Sequence, residues 1–124
     1  CLCGKFDCIE KYISGPSVEN EHKEVFTEEL SMQQIAKKYA NKDKNCKITM
    51  NLLINRIARC LASVINIIDP EAIILGGGLS NLDILYQEVP KIWKNWIFSD
   101  SVNTKLLKSR HGDSSGVRGA AWLN

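Results

Sequence analysis

At 124 residues, 44% hydrophobic and 24% charged, the chain is long enough for one globular domain with its own core and too short for two. A formal charge of +2, with basic residues interleaved among acidic ones, excludes an electrostatic footprint for nucleic acid or a membrane surface, and no run is expected to cross a bilayer. Five cysteines, three of them within the first eight residues, fit a disulfide framework poorly and point to a reducing compartment, the cytoplasm.

The chain begins on Cys1 rather than on methionine and is read as one portion of a longer protein. After the cysteine-rich opening, Ile9 to Ile13 predicts a short helical turn, with a break at Gly15 before Pro16. Residues 16–29 are polar, with Val25, Phe26 and Leu30 as one apolar edge, and predict a short helix and a connection. Ser31 before MQQIAKKYA is the N-cap of a helix, its hydroxyl accepting from the backbone of Gln33 or Gln34.

From Cys46 to Ile68 the apolar residues Met50, Leu53, Ile54, Ile57, Leu61, Val64, Ile65 and Ile68 recur at intervals of three and four. This spacing predicts a long amphipathic helix that stops at Asp69-Pro70. The β-branched run Ala72 to Leu75, bounded by Pro70 and Gly76, reads as a buried strand of a parallel sheet. Ser80, with Asp83 three residues on, predicts an N-cap for a helix bearing Leu82, Leu85, Tyr86 and Val89, which Pro90 bends or divides. Leu106-Leu107 reads as a second strand and Val117 to Leu123 as a short final helix. The alternation of helix and strand argues for an α/β layered domain.

Cys1, Cys3 and Cys8 on a turn containing Gly4 can converge on one soft ion, with zinc first among them; a closed zinc site needs a fourth ligand. Reduced, unliganded thiols are the other reading. ILGGGLS, residues 74–80, places Gly76, Gly77 and Gly78 between strand and helix, where a nucleotide can approach the backbone; a tight turn without a ligand fits the same residues. It is neither a Walker loop nor a GxGxxG fingerprint. His111 and Asp113 lack a nucleophile at a recognisable spacing and read as structural or capping. His22 lies in a charged segment expected to be exposed. Trp93, Trp96 and Trp122 read as core residues, and Cys46 and Cys60 as small buried thiols. Glu10 by itself reads as a solvated carboxylate.

Taken together, CLCGKFDCIEKYISG, IIDPEAIILGGGLSN and HGDSSGVRGAAWL, in this order and at these gaps, resemble the carboxyl-terminal half of the ROK family of sugar kinases and sugar-responsive repressors. The last stretch is most similar to bacterial fructokinases of the mannokinase type. The motif C-x-C-G-x-x-x-C-x-E-x-x-x-S-G carries most of the resemblance. Its usual glycine before the third cysteine is Asp7 here, a departure that alters the turn without removing a ligand.

The resemblance implies an α/β fold, the carboxyl-terminal lobe of an actin-like ATPase (ribonuclease H-like) fold that spans residues 1–124. Residues 1–15 would form a zinc and sugar loop, and residues 46–124 the helical and nucleotide-side core. It further implies structural Zn2+ on Cys1, Cys3 and Cys8 with an upstream histidine, and Glu10 hydrogen-bonded to sugar hydroxyls. Gly76, Gly77 and Gly78 would lie beside the adenosine of ATP, which is bound with Mg2+. The family's catalytic aspartate and phosphate loop have no match among these residues, so no catalytic residue is assigned and this stretch alone is expected to be inactive.

The partners so implied are a hexose, fructose first, ATP, an amino-terminal lobe, and a second copy of the chain. The alternative within the family is the sugar-sensing, dimerising domain of a repressor, the one case in which nucleic acid would be a partner. HGDSSGVRGAAWL leans to the kinase. A third reading is an interaction and folding unit without activity of its own.

Overall fold

The computed structural model describes residue 1, residues 3–112 and residues 115–122. The chain divides into two compact units, residues 1–57 and 58–124.

The first unit opens with the cysteine turn and a one-turn helix, α1 (Glu10–Ile13). Ser14 then takes an extended conformation and caps α2 (Gly15–Phe26), its hydroxyl accepting from the Ser17 amide, with Pro16 in the first turn where its missing N–H costs nothing. The expected break therefore falls at Ser14, and the helix and connection expected over residues 16–29 are both present, as the twelve residues of α2 and the irregular stretch that begins at Thr27. In α3 (Met32–Ala40) the Ser31 hydroxyl accepts from the Gln34 amide while the Gln34 side chain accepts from the Ser31 amide, closing a capping box.

Helix α4 (Lys44–Ile68) starts two residues earlier than the apolar spacing predicted, because the Asp43 carboxylate accepts from the Cys46 amide. It ends at Asp69, whose backbone is left-handed (φ 46°), directly before Pro70. Its 25 residues are long and apolar enough by composition to cross a bilayer, which corrects the expectation that no run is. Much of its apolar stripe is instead interior, while Val64 and Ile68 are exposed. Cys46, Met50, Leu53, Ile54 and Ile57 join Val18, Met32 and Ile35 in the core of the first unit, and Ala58, Ala62 and Ile65 are buried in the second. Burial of its thiol, with Asp43 nearby, pushes Cys46 up to about 11. Cys60 is half-buried.

In the second unit β1 (Ala72–Leu75) pairs in parallel with β2 (Lys105–Lys108), register Ala72↔Lys105 to Leu75↔Lys108. The Thr104 hydroxyl donates to the Pro70 carbonyl at 2.7 Å and extends the pairing by a residue. β1 is not the buried strand expected, since Ile74 is 64% exposed. A parallel pair is buried only when layers cover both of its faces, and among the described residues α5 (Asp83–Trp93) packs on β2. Helix α5 runs through Pro90 without dividing and buries Leu85, Val89 and Trp93. Ser80 does not cap it. The Ser80 hydroxyl donates to the Gly77 carbonyl at 2.6 Å and closes a 3-10 turn (Gly78–Asn81), leaving Leu82 at the N-cap. In the last helix, α6 (Ser115–Ala121), residues 116–121 are exposed. Trp93 is a core residue as expected, but Trp96 and Trp122 are exposed. Asp113 and Leu123 lie outside the described residues.

Candidate functional site

The opening residues form two tight reversals. Gly4 adopts φ 73° and its amide donates to the Cys1 carbonyl; Asp7 adopts φ 56°, a left-handed backbone at the position where the motif usually carries glycine. These reversals bring the sulfurs of Cys1, Cys3 and Cys8 within 4.8 Å of one another, with Cys3 Sγ 3.3 Å from Cys1 Sγ and 3.2 Å from Cys8 Sγ. A zinc tetrahedron with Zn–S bonds of about 2.3 Å has sulfur–sulfur edges of about 3.8 Å. The three donors thus fit a thiolate-rich zinc site with one further ligand. The Cys8 thiol, sharing a hydrogen bond with Cys3, holds Cys3 below the ordinary thiol range, and the same bond raises Cys8. The thiolate, which is the ligating form, is therefore favoured first at Cys3.

Glu10 opens α1 two residues after Cys8, with an exposed side chain. Tyr12, in the same turn of helix, donates its hydroxyl to Asp7 Oδ1 at 2.7 Å. Its ring lies 5.4 Å from the guanidinium of Arg56, and Arg56 Nη1 is 3.4 Å from the Tyr12 carbonyl oxygen. Arg56 in turn holds Glu21 by both carboxylate oxygens, with Nη2 to Oε1 at 2.8 Å. That pairing holds Glu21 below the usual carboxylate range.

The glycine run lies at the carboxyl end of β1. Gly77, at φ 73° and ψ −179°, occupies a backbone region that essentially only glycine enters. A Cβ added at Gly76 or Gly78 would meet nothing within 4 Å, so neither is held to glycine by the chain's own packing. The backbone there is open to close approach, and the carboxyl ends of parallel strands are where open α/β sheets bind ligands.

Residues 1–124 match the ROK family over the whole chain. The chain belongs to the ROK family. Among curated relatives of this ROK chain, the N-acetyl-D-glucosamine kinase of Photobacterium profundum is 37% identical over all 124 residues and that of Vibrio atlanticus 36%. In each case the match covers 41% of the relative, so the chain spans less than half the length of these proteins. Two solved structures share its fold. A ROK family glucokinase from Streptomyces griseus, in complex with glucose and AMPPNP, superposes with a TM-score of 0.83 over 99% of this chain and 46% of that one, at 22% identity. The ROK hexokinase from Thermus thermophilus superposes with a TM-score of 0.80 over 98% and 43%, at 21% identity. The fold is the actin-like ATPase fold expected, and the chain corresponds to the carboxyl-terminal part of ROK kinases.

In this ROK chain the structure brings the three cysteines together and sets Glu10 beside them in sequence and in helix α1. The glycine run belongs to the second unit. His111 is exposed, its amide 3.3 Å from the Ser109 hydroxyl oxygen, while Asp113 lies outside the described residues, so that pair stays without a placed role. Sequence reasoning missed Tyr12, Glu21 and Arg56. An isolated arginine in an amphipathic helix reads as solvated, and only the fold pairs it with a glutamate 35 positions away. It missed His22 as well, which is buried rather than exposed.

Proposed function

We propose that the chain is the carboxyl-terminal part of an ATP-dependent sugar kinase whose substrate is N-acetyl-D-glucosamine. The observation that carries this reading is the match of all 124 residues to N-acetyl-D-glucosamine kinases at up to 37% identity. The relatives give fructose no support, and the repressor alternative is not favoured by neighbours that are kinases.

In this reading the Glu10 carboxylate accepts hydrogen bonds from sugar hydroxyls and fixes the ring for attack on the γ-phosphate of ATP, which is bound with Mg2+. Phosphoryl transfer depends on such positioning and on charge stabilisation. Gly76 and Gly78 supply a surface without side chains against which the adenosine lies, and Gly77 supplies the bend between them. Cys1, Cys3 and Cys8 would hold zinc, which would cross-link the turn that leads into α1 and takes no part in the chemistry. The proton acceptor and the phosphate-binding loop are not among these residues. Reduced thiols suit the cytoplasm. Exposed apolar side chains such as Phe98 and Val117 leave surface for the rest of the protein or a second copy to cover.

The test is a coupled ADP-release assay on the intact protein with MgATP and N-acetyl-D-glucosamine, glucose, mannose or fructose. N-acetyl-D-glucosamine should give the highest kcat/KM, at least about tenfold above fructose. Sugar-independent or absent ADP release would remove the kinase assignment, and a preference for fructose would remove the substrate.

A further inference from the structure

We propose that Arg56 is a positioning residue for sugar binding, which, through Tyr12 and with Glu21 behind it, fixes the one-turn helix that carries Glu10. The proposal rests on the reading of Glu10 as the sugar contact.

Helix α1 has four residues, none of them buried and no side-chain N-cap. One turn of helix is not stable on its own, because nucleation fixes several dihedrals for a single hydrogen bond. Something outside α1 must hold it; α2 packs against it, and its described side-chain hydrogen bonds and ring contacts converge on Tyr12. On one side its hydroxyl is bonded to Asp7, in the turn that leads to Cys8. On the other, its ring and carbonyl oxygen meet the Arg56 guanidinium. Tyr12 therefore ties the cysteine turn to α4, and Glu10 lies two residues before it.

The anchor is itself rigid. Arg56 stands between the buried Ile54 and Ile57 on α4, and Glu21 precedes the buried His22 on α2. Both helices are held by their own apolar faces, so the Glu21–Arg56 pair is not what packs them together. What the pair sets is the direction of the guanidinium, whose planar fork allows two bonds to Glu21 and leaves a face for the Tyr12 ring. Asp7 completes the device. A non-glycine residue in a left-handed backbone is costly, and the bond from the Tyr12 hydroxyl offsets that cost only while α1 is in place. A bland surface ion pair would add a little stability and no selectivity for one substrate.

In the intact enzyme, KM for sugar, KM for ATP, kcat and the thermal midpoint are measured for Arg56→Met, Arg56→Lys, Tyr12→Leu and Glu10→Gln, and for Arg56→Met combined with Glu10→Gln. Arg56→Met should raise sugar KM at least about fivefold and change ATP KM by less than about twofold, since misplacing a contact by an ångström is costly. Arg56→Lys should recover part of the loss, because it keeps the charge without the fork. Tyr12→Leu, at an exposed position where folding is not at risk, should reproduce the selective rise. In the Glu10→Gln background the Arg56→Met effect should shrink to less than about twofold, nothing being left to position.

Equal effects on sugar and ATP that follow the thermal midpoint would overturn the proposal, as would full additivity with Glu10→Gln. A Glu10-sensitive enzyme indifferent to both Arg56→Met and Tyr12→Leu overturns it alone. A silent Glu10→Gln overturns the assignment of Glu10 and the positioning role together.

Discussion

His22 of α2 and Thr49 of α4 meet side chain to side chain in the core of the first unit, Nδ1 to Oγ1 at 2.7 Å. The Thr49 hydroxyl lies 3.4 Å from the Asn45 carbonyl oxygen, to which it donates. It therefore accepts from Nδ1 of His22, and the ring's Nε2 has no hydrogen-bond partner among the described residues. The ring also packs against Phe26, with centroids 5.0 Å apart.

Thr49→Val should destabilise the protein by about 1–3 kcal/mol, because it strands a buried donor. The double variant His22→Phe with Thr49→Val should cost less than the sum of the single changes, since both partners then become apolar together. Urea unfolding of the four proteins gives the cycle. Strict additivity would show that the bond is not coupled across the two helices.

The intact protein, purified under reducing conditions, should carry about one zinc per chain. Cys3→Ser, which removes the sulfur closest to both others, should lower zinc affinity by more than the roughly 10- to 100-fold seen when a partner beyond the ligands is lost. Metal analysis and chelator competition measure it. A metal-free native protein indifferent to chelators contradicts the site.

Glu10→Gln should raise sugar KM or lower kcat/KM for sugar by an amount equivalent to about 1.5–3 kcal/mol, the scale of a hydrogen bond to a charged group. ATP affinity should stay nearly unchanged, because in the proposed role the carboxylate contacts only the sugar. Steady-state kinetics with each substrate varied in turn separates the two.

The glycines should divide by mechanism. Gly77→Ala forces a side chain into a backbone region that essentially excludes it and should cost about 1–3 kcal/mol of stability. Gly76→Val meets open space in the chain itself, so the thermal midpoint should hold while ATP affinity falls. Thermal unfolding beside nucleotide titration tells the two effects apart.

Acid should weaken the first unit through Glu21. The hydrogen bond from Arg56, ahead of their charge attraction, depresses its folded pKa. The contribution is therefore present above the unfolded glutamate pKa and is lost as pH falls through the lower, folded value. The stability gap between the native protein and Glu21→Gln should close between about pH 5 and about pH 3. A gap that stays constant over that range assigns the effect to packing instead.

What was legible in the sequence is what local chemistry decides. The N-cap at Ser31, the stop at Asp69-Pro70, the strand Ala72 to Leu75 and the order of elements follow from spacing, hydroxyl caps and proline, which act over a few residues. The three cysteines were legible as a group for the same reason: a chain separation of seven residues and a glycine turn suffice to bring thiols together. Local rules misjudged Ser80, because its hydroxyl found the Gly77 carbonyl rather than the first amides of α5. They misjudged the depth of β1, because burial of a strand is set by the layers on its faces and not by its own composition.

The sequence by itself determined the helices and strands, the family motif and the donor set for a metal. Only the tertiary structure decided that His22 is interior, that Asp7 takes the backbone of a glycine with Tyr12 bonded to it, and that Arg56 reaches Tyr12 and Glu21 at once. Those partners are five, 35 and 44 positions apart in the bonds that join them. Contacts of that range leave no periodic trace in a sequence, because they depend on how α1, α2 and α4 cross rather than on the propensity of any one of them.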